Sequence, residues 1–144
     1  MASTSIFGID LPDDTDLVKD GASAMRTIGN GFDDGLGKVA FNDQTATYTA
    51  VLTDNRNKLV RMNVSTANDF LIPTNASVAF PVGSVINVTQ LGTGATTIKA
   101  VTSGTTTITS TGGTSTAPKL RARYSAASCI KVATDTWLVI GDIE

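Results

Sequence analysis

The sequence has no histidine and a single cysteine, Cys129, in 144 residues. Histidine is the commonest general base and the commonest metal ligand in proteins, so its absence removes the usual centre of acid–base and metal chemistry. One cysteine excludes an intrachain disulfide and a cysteine-based zinc site. No serine or cysteine can have a histidine partner for nucleophilic catalysis. We therefore expect a protein that is not an enzyme and that holds no cofactor or metal.

Aromatic residues and long apolar runs are also scarce. Aromatics make up 6% of the chain, and we expect Phe80, Tyr124 and Trp137 to anchor the core. Cys129 lies in an apolar run, which predicts a small buried side chain. No apolar run approaches the roughly 18 residues of a membrane span, and no signal-peptide pattern opens the sequence. These features predict no membrane contact and no export through the Sec pathway.

Charge of either sign is limited, and the formal net charge is −2. The chain therefore lacks the overall basic character of a nucleic-acid-binding protein. A local basic stripe alternates through Lys119, Arg121 and Arg123, which predicts one face of a strand. The simplest interpretation is that this face is exposed to solvent. The alternatives are that it binds an acidic protein, a glycan phosphate or nucleic acid. No aromatic is interleaved with the stripe, which argues against binding of single-stranded nucleic acid.

The motifs that could carry chemistry are weak. Gly92-x-Gly94 and Gly29-x-Gly31 lack the third glycine of a dinucleotide-binding loop, so turns are the better interpretation. The acidic run 13–16 lacks the glycine and distal glutamate of a calcium loop, and helix capping or a contact with another protein is favoured. The run 54–57 is interpreted as a hairpin turn.

Two regions differ in their hydrophobic pattern. Residues 1–14 have no periodicity and predict an extended arm, with Thr15 or Asp16 as the N-cap of a helix. Apolar or small residues then recur at helical spacing, and glycines 29, 31 and 35 are expected to end the helix. Such a short helix is marginal alone, so its stripe packs either on its own domain or on the same helix of neighbouring subunits. The stripe, a hypothetical subunit interface, is Leu17, Gly21, Met25, Ile28 and Phe32.

From about Ala46 onward the pattern is all β. Short runs alternate between apolar and polar residues and are separated by Gly, Asn and Asp turns at fairly regular spacing. They include residues 85–91, and residues 128–132 and 137–140, which a turn at Thr134-Asp135 joins. Val, Ile and Thr are frequent, as in half-buried strands. The fold class predicted is mainly β: a small antiparallel sandwich or barrel with an N-terminal extended arm and one short helix. Residues 1–37 form the arm and helix, and residues 38–144 form the β domain.

Three blocks of sequence resemble structural proteins of tailed bacteriophages. The first, residues 11–26, is similar to the N-terminal motif of many tail-fibre and minor tail proteins. The second and third, residues 75–94 and 120–142, resemble a small β domain found in virion appendages. The chain differs from long tail fibres in length, because only about 25 residues separate the helix from the second strand. The resemblance implies a homotrimer whose arm docks on the virion through Leu11, Pro12, Asp13, Asp14 and Asp16.

The sequence and the resemblance together predict a structural protein of the virion, assembled in the bacterial cytoplasm. The first hypothesis is a short trimeric fibre-type appendage, held to other virion proteins of the tail or capsid by its arm. The closest alternative is a capsid decoration protein, which differs in where the arm docks. A glycan-binding tip module that contacts the host surface is the second alternative. It is disfavoured here because Tyr124 and Trp137 are predicted to lie inside strands.

Overall fold

The structure, a computed structural model, describes residues 2–3, 10–11, 20–111 and 116–144. Among these residues one α-helix, α1 (Gly21–Leu36), precedes two β-sheets that enclose the core. The strands are β1 (Ala2–Ser3), β2 (Asp10–Leu11), β3 (Ala40–Gln44), β4 (Tyr48–Thr49), β5 (Lys58–Met62), β6 (Asn68–Ile72), β7 (Val85–Gln90), β8 (Thr96–Ala100), β9 (Thr107–Ser110), β10 (Ala126–Ala133) and β11 (Thr136–Gly141). A single turn of 3-10 helix lies at Leu52–Asn55. The prediction of a mainly β domain with one helix is confirmed.

The first half of the β domain winds as a coil between two parallel sheets. Strands β3, β5 and β7 lie side by side in the large sheet, whereas β4, β6 and β8 form the small one. All these neighbours pair in parallel. Since parallel neighbours need a crossover, the chain passes to the other sheet between successive strands of the same sheet. The predicted antiparallel pairing is therefore wrong for this half.

The second half closes the large sheet with antiparallel strands. Strand β10 pairs antiparallel with both β7 and β11, and β9 joins the far edge in parallel with β11. The large sheet thus has the order β3-β5-β7-β10-β11-β9. The β10–β11 hairpin and its turn at Thr134-Asp135 agree with the sequence prediction, and Asp135 has a φ of 53°.

Aromatic and aliphatic side chains fill the space between the sheets. Trp137 and Phe80 are almost fully buried, and their rings meet edge to face with centroids 5.4 Å apart. Cys129 is fully buried among them. These placements confirm Trp137 and Phe80 as core anchors and Cys129 as a buried apolar group.

Two glycines let the corners of successive coils stack closely. A Cβ on Gly92 would lie 2.1 Å from the carbonyl oxygen of Val64, and one on Gly94 would lie 1.9 Å from that of Thr66. The backbone N–H of Gly94 donates to the Val64 carbonyl at 2.9 Å. The Gly92-x-Gly94 motif is therefore a turn, as predicted, and its glycines are required by the neighbouring backbone.

Polar residues close the core at the end of the domain that β3 and β4 form. Asn42 lies beside Val60 and Val88 in the register of the large sheet, so an amide occupies the end of an otherwise apolar column. The fully buried carboxylate of Asp54 accepts hydrogen bonds from Asn42 Nδ2, Tyr48 Oη and the Val51 backbone at 2.8 to 2.9 Å. Asp54 therefore organises a satisfied polar layer. Residues 54–57 do form a turn, at the end of the 3-10 helix, but the predicted hairpin is wrong because β4 and β5 lie in different sheets.

Helix α1 differs from its prediction in both bounds and packing. It begins at Gly21 rather than near residue 16, and it continues through Gly29, Gly31 and Gly35 to Leu36. Among the described residues only Ala24 is buried in the helix. Its contacts with described elements are chiefly with β2, not with the large or the small sheet. No helix in the described ranges is long and apolar enough to cross a membrane.

A buried lysine fixes the long connection between β6 and β7. Lys131 of β10 is 2% exposed, and its Nζ donates to Asn75 Oδ1 at 2.5 Å and to the Phe80 carbonyl at 2.6 Å. The Asn75 backbone N–H in turn donates to Asp135 Oδ1 at 2.6 Å. These bonds hold the connection against the hairpin and place Phe80 over Trp137.

Candidate assembly surface

The outer face of the large sheet is apolar although nothing in the described part of the chain covers it. One row across five strands consists of Phe41, Leu59, Asn87, Ser128 and Ile140, in the observed register. A second row joins Val85, Ile130 and Leu138. Val85 and Ile140 remain about two-fifths exposed, at 40% and 44%. Strands that are apolar on both faces are normally buried on both, which makes this face a candidate contact surface.

The outer face of the small sheet provides the contrast. Its neighbouring strands present Asp69 and Lys99, which form an ion pair at 2.8 Å, together with Thr97. Apart from half-buried Leu71, the strands of this sheet alternate between apolar residues that face the core and polar residues that face outward, as is usual for a solvated sheet. The two sheets therefore differ in the neighbours that their outer faces suit.

The two polar side chains in the centre of the apolar face are bonded to each other. Ser128 Oγ donates to Asn87 Oδ1 at 2.7 Å. Charged side chains lie at the edge, where Arg61 pairs with Asp43 at 2.5 to 2.6 Å and lowers the pKa of that carboxyl. A partner could cover the centre without burying an ion or breaking this bond, but it would need an acceptor for the Asn87 amide N–H groups.

The α1 stripe also exposes apolar side chains and is joined to this face along the chain. Of the residues predicted to form a subunit interface, Met25 is 73% exposed, Phe32 is also exposed, and Gly21 and Ile28 are half-buried. Leu17 lies outside the described residues. Exposed apolar residues follow along the chain at Leu36, Val39 and Phe41. Asn57 Nδ2 holds the connection between α1 and β3 by donating to the carbonyls of Gly35 and Lys38 at 3.3 and 2.9 Å.

The predicted docking arm is largely outside the described residues. Pro12, Asp13, Asp14 and Asp16 are in that part, and Leu11 is described only as the end of β2. Strand β2 pairs antiparallel with β1. The docking role of these residues stays a prediction.

Tyr124 was predicted to be a core anchor, and this is wrong. It is 66% exposed and has a φ of 72°, at the third position of a turn closed by the Ser125 N–H and the Ala122 carbonyl at 3.0 Å. Glycine is usual at such a position because a side chain there is strained. The guanidinium of Arg123 lies 4.7 Å from the tyrosine ring centroid, so the turn presents an aromatic ring beside a cation.

The predicted basic stripe is mostly paired with carboxylates. Lys119 Nζ lies 2.7 Å from Glu144 and Arg121 Nε lies 2.6 Å from Asp142. The Asp142 carboxylate also accepts from Ser125 Oγ at 2.6 Å, and these two partners lower its pKa, Ser125 most. Residues 119 and 120 form isolated bridges rather than a regular strand. The stripe therefore ties the turn to the C-terminal residues and is not a free cationic face.

The reactive groups of the described residues offer little chemistry. Burial raises the pKa of the Cys129 thiol to about 12, so the thiol is not a ready nucleophile. No group of three or more Cys, Asp or Glu that could hold a metal ion occurs in residues 20–111 and 116–144.

The apolar sheet face was not predicted from the sequence, because which residues share that face depends on strand register.

Comparison with known proteins does not assign the chain to a family. No protein-family model matches the sequence, and no curated protein matches it significantly.

Proposed function

We propose that the chain is a structural protein of a tailed bacteriophage virion, a short trimeric fibre-type appendage anchored by its N-terminal arm. The proposal combines the sequence resemblance of residues 11–26, 75–94 and 120–142 with one structural observation. That observation is the set of uncovered apolar side chains on α1 and on the outer face of the large sheet. A subunit that functions by assembly needs such a surface, whereas a protein working alone would be expected to cover it.

Assembly through α1 can be tested by light scattering on the purified chain. We expect a trimer at micromolar concentration, and a monomer would contradict the proposal. Met25→Asp combined with Ile28→Asp should dissociate the trimer while leaving the β domain folded, because the helix packs little against the sheets. Thr27→Asp, on an exposed helical position, is the matched control and should remain trimeric.

Attachment through the arm can be tested on particles of the encoding phage. Deletion of residues 2–14 should leave a folded trimer that no longer enters particles, since an extended arm gains order on another protein and repeated copies supply avidity. Attachment of the intact chain should weaken as salt rises, because Asp13, Asp14 and Asp16 favour a basic docking surface. Normal incorporation of the shortened chain would contradict the docking role.

A capsid decoration protein remains the alternative within the same class. The surface argument applies equally to it, since only the docking partner differs. Antibody labelling of intact particles and of tailless heads separates the two: label on tailless heads favours decoration, and label confined to tails favours the appendage.

The exposed Tyr124 gives specific support to the second candidate, a glycan-binding tip. The turn lies beside the ends of β7 and β11, away from the N-terminal end of β5, where Asn57 bonds to the end of α1. An aromatic ring beside a guanidinium can stack on a sugar and donate to its hydroxyls. Binding of host surface polysaccharide should disappear in Tyr124→Gly, which suits the positive φ and should keep the thermal midpoint. Equal binding by this variant would exclude the turn as a sugar site.

A further inference from the structure

Lys131 occupies a core position without the ion pair that a buried lysine normally has. It lies on β10 opposite Trp137, in the register of the hairpin, and is 2% exposed. A lysine is almost never buried to this extent unless it is paired with an opposite charge. Among the residues that the structure describes, no carboxylate pairs with Lys131, and its Nζ bonds only to the side-chain oxygen of Asn75 and the main-chain oxygen of Phe80. The buried amine therefore has only neutral partners.

The amine and the Asn75 carboxamide are close enough to react. Nζ of Lys131 lies 2.5 Å from Oδ1 of Asn75. A carbonyl bond of about 1.23 Å, with a hydrogen-bond angle of about 120° at the oxygen, places Nζ roughly 3.3 Å from the amide carbon. Reacting atoms about 3–3.5 Å apart are in a near-attack arrangement. The χ2 torsion of asparagine is soft, so a small rotation turns the face of the amide towards the amine.

Both reacting groups are held in place, whereas the leaving group is not. The backbone N–H of Asn75 donates to Asp135 Oδ1 at 2.6 Å, and Thr106 Oγ1 donates to the same oxygen at 3.2 Å. The Phe80 carbonyl holds the amine from its other side at 2.6 Å. Nothing in the described part of the chain bonds to Nδ2 of Asn75, and this residue is only half-buried. Groups held in such an arrangement need little further ordering to react, and released ammonia has a path to solvent.

We propose that Lys131 and Asn75 become joined by an intramolecular isopeptide bond. The uncharged Lys131 amine attacks the amide carbon of Asn75, and a bond forms between Nζ and Cγ. One amine proton passes to Nδ2, the Cγ–Nδ2 bond breaks, and ammonia leaves. The step consumes no oxidant and no cofactor. A desolvated lysine amine is one of the nucleophiles that proteins use.

The cross-link would do for this fold what a disulfide does elsewhere. The chain has a single cysteine and cannot form an intrachain disulfide. The isopeptide bond would tie the connection between β6 and β7 to β10, across 56 positions of sequence. A covalent link of this span restricts the unfolded chain and thereby favours the folded one. The bond would form within one chain, whether or not the chain assembles.

Mass spectrometry of the purified wild-type chain tests the bond directly. The intact mass should be lower than the sequence mass by one ammonia molecule, and incubation at mildly alkaline pH should complete the reaction because attack needs the uncharged amine. Trypsin should fail to cut after Lys131, so residues 62–99 and 124–144 should be recovered as one branched peptide. A succinimide at Asn75 would also release ammonia, but it would leave Lys131 cleavable. The full sequence mass after this incubation, or ammonia loss without the branched peptide, would overturn the proposal.

Matched variants locate the two partners. Asn75→Ala removes the carboxamide and Lys131→Arg replaces the amine, so each variant should keep the full mass expected from its sequence. The controls are Asn63→Ala, at an exposed position, and Lys99→Arg, whose lysine is paired with a carboxylate; both should still lose ammonia. A branched peptide that persisted in Asn75→Ala would overturn the assignment of this partner. Should a core variant fail to fold, the wild-type mass and peptide map still decide the question.

Discussion

Truncation of Trp137 tests whether the β domain is a self-sufficient fold. Trp137 is 1% exposed and packs edge to face on Phe80. A buried aromatic removes roughly 150–250 Å² from water, worth about 4–6 kcal/mol at ~25 cal/mol per Å² as an upper bound. Measured truncations of this type cost about 3–5 kcal/mol. Since domains of this size have about 5–15 kcal/mol of stability, Trp137→Ala should leave the domain close to unfolding.

The measurement is urea unfolding of the fragment Lys38–Glu144, followed by far-UV circular dichroism because the chain has only one tryptophan. The fragment should unfold cooperatively, since α1 is not packed on the sheets, and Trp137→Ala should lower the midpoint by roughly 2 M at an unchanged slope. Tyr124→Ala is the control, an aromatic truncation at an exposed site, with an expected change within about 0.5 kcal/mol. A loss below about 1 kcal/mol for Trp137→Ala, or a non-cooperative wild-type fragment, would refute this account of the core.

Two further predictions concern the backbone corners and pH. Gly94→Ala should destabilise the domain by about 1–3 kcal/mol, because its Cβ would meet the Thr66 backbone. Gly29→Ala lies in a helix with open space around it and should instead stabilise α1 by about 0.5–1 kcal/mol. Thermal melts in which both variants shifted the midpoint in the same direction would contradict the assignment of Gly94 to a crowded corner. Burial raises the pKa of Cys129, and burial followed by the hydrogen bond to Asp54 raises that of Tyr48, each to about 12. Both groups thus stabilise the fold fully below their unfolded pKa values of 9.0 and 10.0, and this contribution is lost as pH rises towards 12. The thermal midpoint should fall above pH 9, and Cys129→Ala should delay that fall; an identical alkaline limb in the variant would show that the thiol has no part in it.

The sequence predicted the elements that have strict alternation and clear turn residues. Strands β7, β10 and β11 are examples, because Ile86, Val88 and Trp137 alternate with outward-facing residues and Asp135 marks the tight turn. Strand β3 was missed because its inward residues are the amides Asn42 and Gln44, which close the core where an apolar residue would be expected. Parallel pairing was missed because alternation alone does not report strand direction.

The site was less predictable than the fold, for physical reasons that individual residues illustrate. Tyr124 follows Leu120 and Ala122 at strand spacing, but the Ser125 hydroxyl bonds to Ala122 and Asp142 and favours a turn instead. Helical period depends only on local spacing, so Met25, Ile28 and Phe32 were correctly placed in a helix, and their role as a subunit interface stays a prediction. The apolar sheet face combines residues from five strands, and no local pattern gathers them.

The stacked corners also set the length of the last parallel coil, whereas the preceding coil is shorter, because Asn42 pairs with Val60 and Tyr48 with Phe70, 18 and 22 positions on. Leu59 pairs with Asn87 and Asn68 pairs with Thr96, each 28 positions on, and Val64 and Thr66 lie under Gly92 and Gly94 at the same offset. An inserted copy of 28 residues would therefore continue both sheets and both corners in register. Gene duplication, or a designer, could lengthen the domain one coil at a time, in the way that solenoid proteins grow, while the amide layer at one end and the hairpin at the other remain unchanged.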